Sequence, residues 1–372
     1  MLLMSALMLV SCDLLGEGNK TGDENQTGGD DVSLDAGFYM TIDKNVIQSN
    51  GEDSVTLMAT LDGNDVTAET IFYLVSGKDL KPMAGNIFST STEGEYSFRA
   101  SYMTFSTKDP VSVKAIDTVI PDAAVDSDPS NTSFVHRSFL NQYTGTGCGY
   151  CPGMKRAIEE AFKDEQTKNM AVLAAVHSYG TGDPAYIAAP RASGYPYLEI
   201  DMSAGFSYEM DPTAKGGVLK AALLERTSVP AKVGISANPS LSDNLLVVRV
   251  AVKAAEAGDY SLGVWFMQDN VFGQQTDYLG IADNSYNYHD NCVRVADSRN
   301  QNNYAGFPLG TLAKGQVVER TFVCKVEKDD WKLKNLTDLH FAAFVTERTK
   351  KGFNVLNVVD CKYNEPTPFE YK

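Results

Sequence analysis

Cys148 and Cys151 stand three residues apart in the stretch GTGCGYCPG, residues 145–153. Two cysteines at this spacing can close a local disulfide, and such a pair exchanges with other disulfides when one sulfur becomes a thiolate. The residues that follow favour that state. Met154, Ala157, Ile158, Ala161 and Phe162 recur at the spacing of one helical face, so a helix begins at the second cysteine. Unpaired N–H groups and the macrodipole at a helix start favour negative charge. In this arrangement Cys148 is the exposed attacking thiol and Cys151 the resolving thiol. Pro152 suits the first turn, where its missing N–H has no helical partner anyway, and Lys155 and Arg156 add positive potential.

Three further residues could serve the same chemistry. His177 ends the apolar run MAVLAAV, residues 170–176, and a titrating histidine at a strand end can assist a thiolate. Tyr195-Pro196 is an X–Pro bond, the one kind that adopts cis cheaply, and it precedes a short apolar strand. Zinc is not expected: a structural site needs four ligands, and the only other pair, His289 and Cys292, is loose and distant. No cofactor motif is present. Once Cys12 is set apart, Cys292, Cys324 and Cys361 are an odd set. Cys324 shares a face with Phe322 and Val326, and Cys361 with Val355 and Val359, so both read as core positions.

The elements that must position the pair read as strand (FVHRSFLNQY), CxxC, helix and apolar parallel strand. That order, with the cysteines at the first strand–helix junction, resembles the thioredoxin arrangement. A further helix starts at Asp211-Pro212, with Ala214, Val218, Ala221 and Ala222 on one face. The expectation is a thioredoxin-like α/β domain over residues 132–228. The resemblance implies that Pro196 packs against the disulfide and that the Tyr195-Pro196 loop presents its backbone to an incoming chain. Two positions depart from the pattern. Gly147 stands where thioredoxins carry Trp, and Gln142 stands where they carry a buried acid that can accept a proton.

On either side the period is that of strands. Residues 37–121 read as an immunoglobulin-like β-sandwich: SVTLMATL alternates Val55, Leu57, Ala59 and Leu61, and Tyr96 followed by Phe98 resembles a tyrosine corner. A Pro/Asp/Ser linker covers residues 122–131. Residues 229–372 read as a second β-sandwich with a long polar insertion at 268–310, rich in Asn, Asp and Tyr. The fold class expected is therefore multidomain, α/β plus all-β, with the thioredoxin-like domain flanked by two immunoglobulin-like sandwiches.

The N-terminus sets the location. MLLMSALMLVSC is an apolar run of signal-peptide character whose last residues resemble a lipobox, with Cys12 the lipidated residue. Residues 13–36 hold five glycines, seven acids and no aromatic residue, the composition of a flexible tether. A net charge of −16 disfavours nucleic acid, whose phosphates require a basic surface. Lipobox, sandwich, YTGTGCGYCPG, GYP and the ending FVTERTKKGFNVLNVVD together resemble the outer-membrane-protein-28-related lipoproteins of Bacteroidetes. The resemblance implies an outer-membrane envelope lipoprotein held by the lipid on Cys12. Two functions are carried forward. One is thiol–disulfide exchange on a protein or peptide thiol substrate; the other is binding of a protein or glycan at residues 268–310, with the disulfide structural.

Overall fold

The computed structural model describes residues 37–188, 192–206, 217–297, 306–350 and 352–372. Cys12 with the apolar run before it, the 13–36 tether and the helix start at Asp211-Pro212 lie outside these residues.

Residues 37–116 fold as two small sheets. One contains Phe38–Ile42, Ser54–Leu61, Asn64–Asp65 and Ile87–Ser89; the other is built on Val111–Ile116, Gly94–Tyr102 and Ile71–Ser76. Strand alternation turns Val55, Leu57 and Ala59 inward against Phe72, Phe98 and Val113. Each large side chain so buried contributes about 1.5–3 kcal/mol. The Tyr96 hydroxyl donates to the carbonyl of Thr92 at 2.9 Å. Asn45 joins this unit to the rest, since its side chain both donates to the carbonyl of Thr321 and accepts from its N–H.

The Pro/Asp/Ser segment is anchored. Lys253, 1% exposed, donates to Asp126 at 2.9 Å and to the carbonyl of Asp128 at 3.2 Å, and Asn238 donates to the carbonyl of Asp122. A buried ammonium must be paired, so the composition that reads as a spacer also supplies a required counter-charge.

The expected thioredoxin-like α/β domain between two sandwiches is not what forms. Only two α-helices occur among the described residues, α1 (Cys151–Lys163) and α2 (Gly217–Thr227). The strands Ser138–Thr144 and Ala171–His177 do pair in parallel, but they do not form a separate sheet. Ala171–His177 pairs onward with Cys292–Asp297 from the long insertion, which pairs with Gly258–Gln268, then Leu339–Thr349 and Gly352–Lys362. The result is one nine-stranded, mostly antiparallel sheet that runs through both expected domains.

The physical reason lies in what covers the central strand. One face of the sheet carries α1 and α2: Met154, Ala157 and Ile158 pack with Leu140, Leu198, Leu219 and Leu223. The other face is covered by the curl of the same sheet. Phe139 stacks on Phe344 at 4.8 Å and meets Trp265 edge-on at 5.2 Å, with Val172, Ala174 and Val176 in the same cluster. A continuous apolar run reports that a strand is buried on both faces, not what buries it. Further along, the sheet Val233–Ser242, Leu245–Ala254 and Val317–Lys325 packs face to face on the large sheet.

Candidate functional site

The cysteine pair sits at the junction of strand Ser138–Thr144 and α1. After Thr144 the chain turns, with the N–H of Cys148 donating to the carbonyl of Gly145 at 3.0 Å. Cys148 and Cys151 form a disulfide. The pair is not exposed: Cys148 is 3% and Cys151 2% accessible, against the expectation of an exposed attacking thiol.

The cover comes from the 268–310 insertion. The N–H of Thr276 donates to the carbonyl of Thr146, and the N–H of Tyr278 donates to the carbonyl of Gly149, both at 2.8 Å. The Gln275 amide donates to the carbonyl of Cys148 at 3.0 Å and reaches that of Thr146 at 3.3 Å. The ring of Tyr278 lies over Gly149, where a Cβ would fall 2.4 Å from it, and it meets Tyr150 edge-on at 5.4 Å. Gly149 is required by this close approach, because any side chain would push the covering segment away. On the other flank the ring of Tyr179 faces Gly147. Tyr150, Tyr179 and Tyr278 are all exposed, Tyr278 to 68%. The sulfurs are enclosed while an aromatic rim faces outward.

His177 ends its strand as the spacing predicted, but its partners were not legible. Its Nδ1 lies 2.9 Å from Asp183 Oδ1, and its Nε2 lies 3.5 Å from the sulfur of Cys292. His177 and Cys292 are buried, as is the Asp183 carboxylate. Burial opposes the imidazolium, but the neighbouring Cys292 sulfur and the Asp183 carboxylate outweigh it and push the His177 pKa up to about 10. Burial alone would raise Asp183. The His177 hydrogen bond and charge, with the N–H groups of Thr146 and Ala185, hold it well below the usual carboxylate range. Asp183 also fixes the cysteine turn, since its Oδ2 accepts from the N–H of Thr146. His289 packs edge-on to His177 at 5.0 Å and gives its Nε2 to the carbonyl of Gly273 at 3.0 Å. Burial, then the charge of His177, lowers its pKa to about 4.

The structure therefore brings together Cys148, Cys151 and, through Asp183 and Thr146, His177. Tyr195-Pro196 is a cis bond. Tyr195 reaches the site through the Ser178 hydroxyl at 2.8 Å and the ring of Tyr179 at 5.3 Å. Cys292 is the residue that sequence reasoning missed here, placed only as an unassigned thiol. It lies 115 residues from His177, and no local pattern links them.

A cavity of about 330 Å³ opens between α1 and the sheet, next to Cys151. Its floor is Gln142, Thr144, Leu173, Ala175 and His177, which alternate along two adjacent parallel strands.

Fold and site define a β-rich protein of several sheets whose helix-borne disulfide is enclosed by its own C-terminal half. The sequence profile of the family described as Outer membrane protein Omp28 matches residues 183–367, just under half of the chain and beyond both cysteines of the pair. Over that span the chain is Omp28-like, which supports an outer-membrane, cell-envelope location. Among solved structures, HBP35 of Porphyromonas gingivalis is similar over 64% of this chain and 78% of its own, at 16% identity and a TM-score of 0.50, a likeness of fold alone. A domain of the outer membrane lipoprotein Omp28 from Porphyromonas gingivalis matches 37% of this chain and 90% of its own, at 19% identity and a TM-score of 0.24. A DUF3823 family protein from Bacteroides ovatus matches 88% of this chain and 100% of its own, at 7% identity and a TM-score of 0.19. The last two scores carry no argument about the fold. No curated protein matches the chain.

Proposed function

We propose that this chain is a lipid-anchored binding protein of the outer-membrane envelope, held by Cys12, in which the Cys148–Cys151 disulfide is structural. The observation that carries the reading is the cover over the pair. Two backbone hydrogen bonds and the Gln275 amide tie residues 275–278 across the cysteine loop, and Tyr278 closes on Gly149. A thiol that exchanges with a protein substrate must meet the incoming disulfide in line, so an enclosed pair is inert until the cover moves. Tyr278 of this segment turns outward beside Tyr150 of the cysteine loop and near Tyr179, and clustered exposed aromatic rings mark contact surfaces. The ligand at this rim is a protein or glycan.

The test is catalysed reduction of a model protein disulfide by dithiothreitol, comparing the chain with Cys148→Ser. The reading expects equal rates. A rate that falls on substitution overturns it.

One observation favours the second reading, thiol–disulfide exchange: Cys151 opens α1 and Cys148 lies just before it. In that reaction an external thiol would first reduce the pair and leave as its own disulfide, and the Cys148 thiolate would then attack a substrate disulfide and release one substrate thiolate. Cys151 would then displace the second, leaving a Cys148–Cys151 disulfide and a reduced substrate. His177 would support the turn through Asp183, and the Tyr195-Pro196 loop would present its backbone to the substrate chain.

A further inference from the structure

Three buried thiols lie outside the disulfide, and their neighbours differ. Cys324 and Cys361 belong to the apolar core between the two packed sheets. The Cys324 sulfur donates to the carbonyl of Lys325 at 3.7 Å, and burial pushes the Cys361 thiol up, which keeps it protonated. Cys292 instead faces an imidazole. Its sulfur lies 3.5 Å from Nε2 of His177, whose Nδ1 lies 2.9 Å from the Asp183 carboxylate. The carbonyl of Asp290 is further from the sulfur, at 3.9 Å. A nucleophile against one ring nitrogen, with a carboxylate holding the other, is the arrangement that activates a thiol.

The surrounding charge acts in the same direction. The sulfur and the carboxylate together hold the ring as an imidazolium, so both of its nitrogens donate. A cation that donates to a sulfur favours the thiolate. Arg294, two residues along the strand, is a second cation that the Cys292 sulfur and the Asp183 carboxylate favour. His289, edge-on to His177, is neutral and adds no competing charge.

Burial selects what such a thiolate can meet. Cys292 is fully enclosed. Its partner in register on the neighbouring parallel strand is Ala175, and Ala175 and His177 both line the cavity beneath α1. The sulfur therefore stands behind the His177 wall of a space that admits small molecules. A peptide or ester has no room to set its carbonyl and leaving group beside it. Hydrogen peroxide has two heavy atoms and passes on the rotamer hops of side chains. Its reaction needs only a nucleophile and a proton for the departing oxygen, and Cys292 and His177 supply them.

We propose that Cys292 is a peroxide-reactive thiol, converted by hydrogen peroxide to a sulfenic acid, with His177 as its proton donor and Asp183 positioning the ring. The thiolate attacks one peroxide oxygen, so the S–O bond forms as the O–O bond breaks. Sulfur is oxidised by two electrons, and the reduced oxygen leaves as hydroxide, takes the Nε2 proton and departs as water. Cys324 and Cys361 pack in a different cluster from Cys292, and Cys148 and Cys151 are closed on each other, so the sulfenic acid is the product that accumulates. A small external thiol reverses it, first displacing water to form a mixed disulfide and a second thiol then releasing the cysteine. None of these steps depends on whether the Cys148–Cys151 pair exchanges.

The full chain, folded and in urea, is exposed to hydrogen peroxide. The peroxide is then removed, the chain is unfolded in dimedone, and the adducts are located by mass spectrometry. Cys292 is expected to be oxidised about tenfold or more faster in the folded chain than in urea, where an ordinary thiol is only slightly ionised near neutrality. Cys324 and Cys361 should be slower in the folded chain, as passive burial requires. His177→Gln should cut the Cys292 rate by about tenfold or more while the other two thiols stay protected. A Cys292 that reacts no faster folded than in urea overturns the proposal. So does a rate that His177→Gln leaves unchanged with Cys324 and Cys361 still protected. If the substitution unfolds the chain, all three thiols label alike, and the folded-to-urea ratio of the unsubstituted protein decides alone.

Discussion

The ring of Tyr278 lies across Gly149, so close that a Cβ on the glycine would stand 2.4 Å from it. One residue comes from the cysteine loop and the other from an insertion more than a hundred residues later. Their contact is what encloses the disulfide. Gly149→Ala should therefore lift the covering segment, costing about 1–3 kcal/mol of stability by overpacking. It should also speed reduction of the folded protein by dithiothreitol about tenfold or more, read by thiol trapping and mass spectrometry. Tyr278→Ala should speed reduction in the same direction with a smaller loss of stability.

The Cys292–His177–Asp183 cluster makes a prediction about alkaline pH. With a folded pKa of about 10 against 6.5 unfolded, charged His177 contributes stability that is fully present below pH 6.5 and is lost as pH rises through about 10. Asp183 is depressed, so its contribution is present above about pH 4 and is lost as pH falls below that. Asp183→Asn leaves His177 without its counter-charge and the Thr146 N–H with a weaker acceptor. It should cost about 3–5 kcal/mol near neutrality. Urea denaturation across about pH 2–11 measures both, and His177→Gln should flatten the alkaline limb.

His289 has the opposite sign. It is buried neutral with a pKa of about 4, so the stability it contributes is present above pH 6.5 and is lost as pH falls from there toward 4. His289→Gln, which keeps a donor for the carbonyl of Gly273, should make the acid limb of the stability curve shallower. A limb unchanged by this substitution would contradict the assignment.

Lys253 is buried with its ammonium on Asp126 and the Tyr371 hydroxyl. Asp126→Asn should cost about 3 kcal/mol by leaving the ammonium uncompensated, and it should expose residues 122–131 to protease. Lys253→Met in the same background should recover most of the loss, because it removes the buried charge as well as its partner.

What could be read in advance divides along a physical line. The α1 face, the strands on either side of it and the inward set Val55, Leu57 and Ala59 follow from local periodicity, and they stand where that periodicity put them. The thioredoxin-like domain failed because its evidence was local too. The run Ala171–His177 is as apolar as expected, yet its second cover is Trp265 and Phe344, from strands that close only in three dimensions. The cover over the disulfide was invisible for the same reason. Gln275 and Tyr278 sit in a polar insertion whose composition suggested recognition, but nothing in it indicates that it folds back onto residues 146–149. Gln142 could be noticed as an amide where an acid might stand; only the structure shows that it faces a cavity.

The central claim is that the Cys148–Cys151 disulfide serves the fold rather than exchange. Its reduction potential in the intact chain, titrated against a glutathione or dithiothreitol series with Cys148→Ser as the blank, tests that most directly. The account predicts a bond that stays oxidised to below about −300 mV, as structural disulfides do. A potential between about −120 and −270 mV, the span of proteins that exchange disulfides, would contradict it.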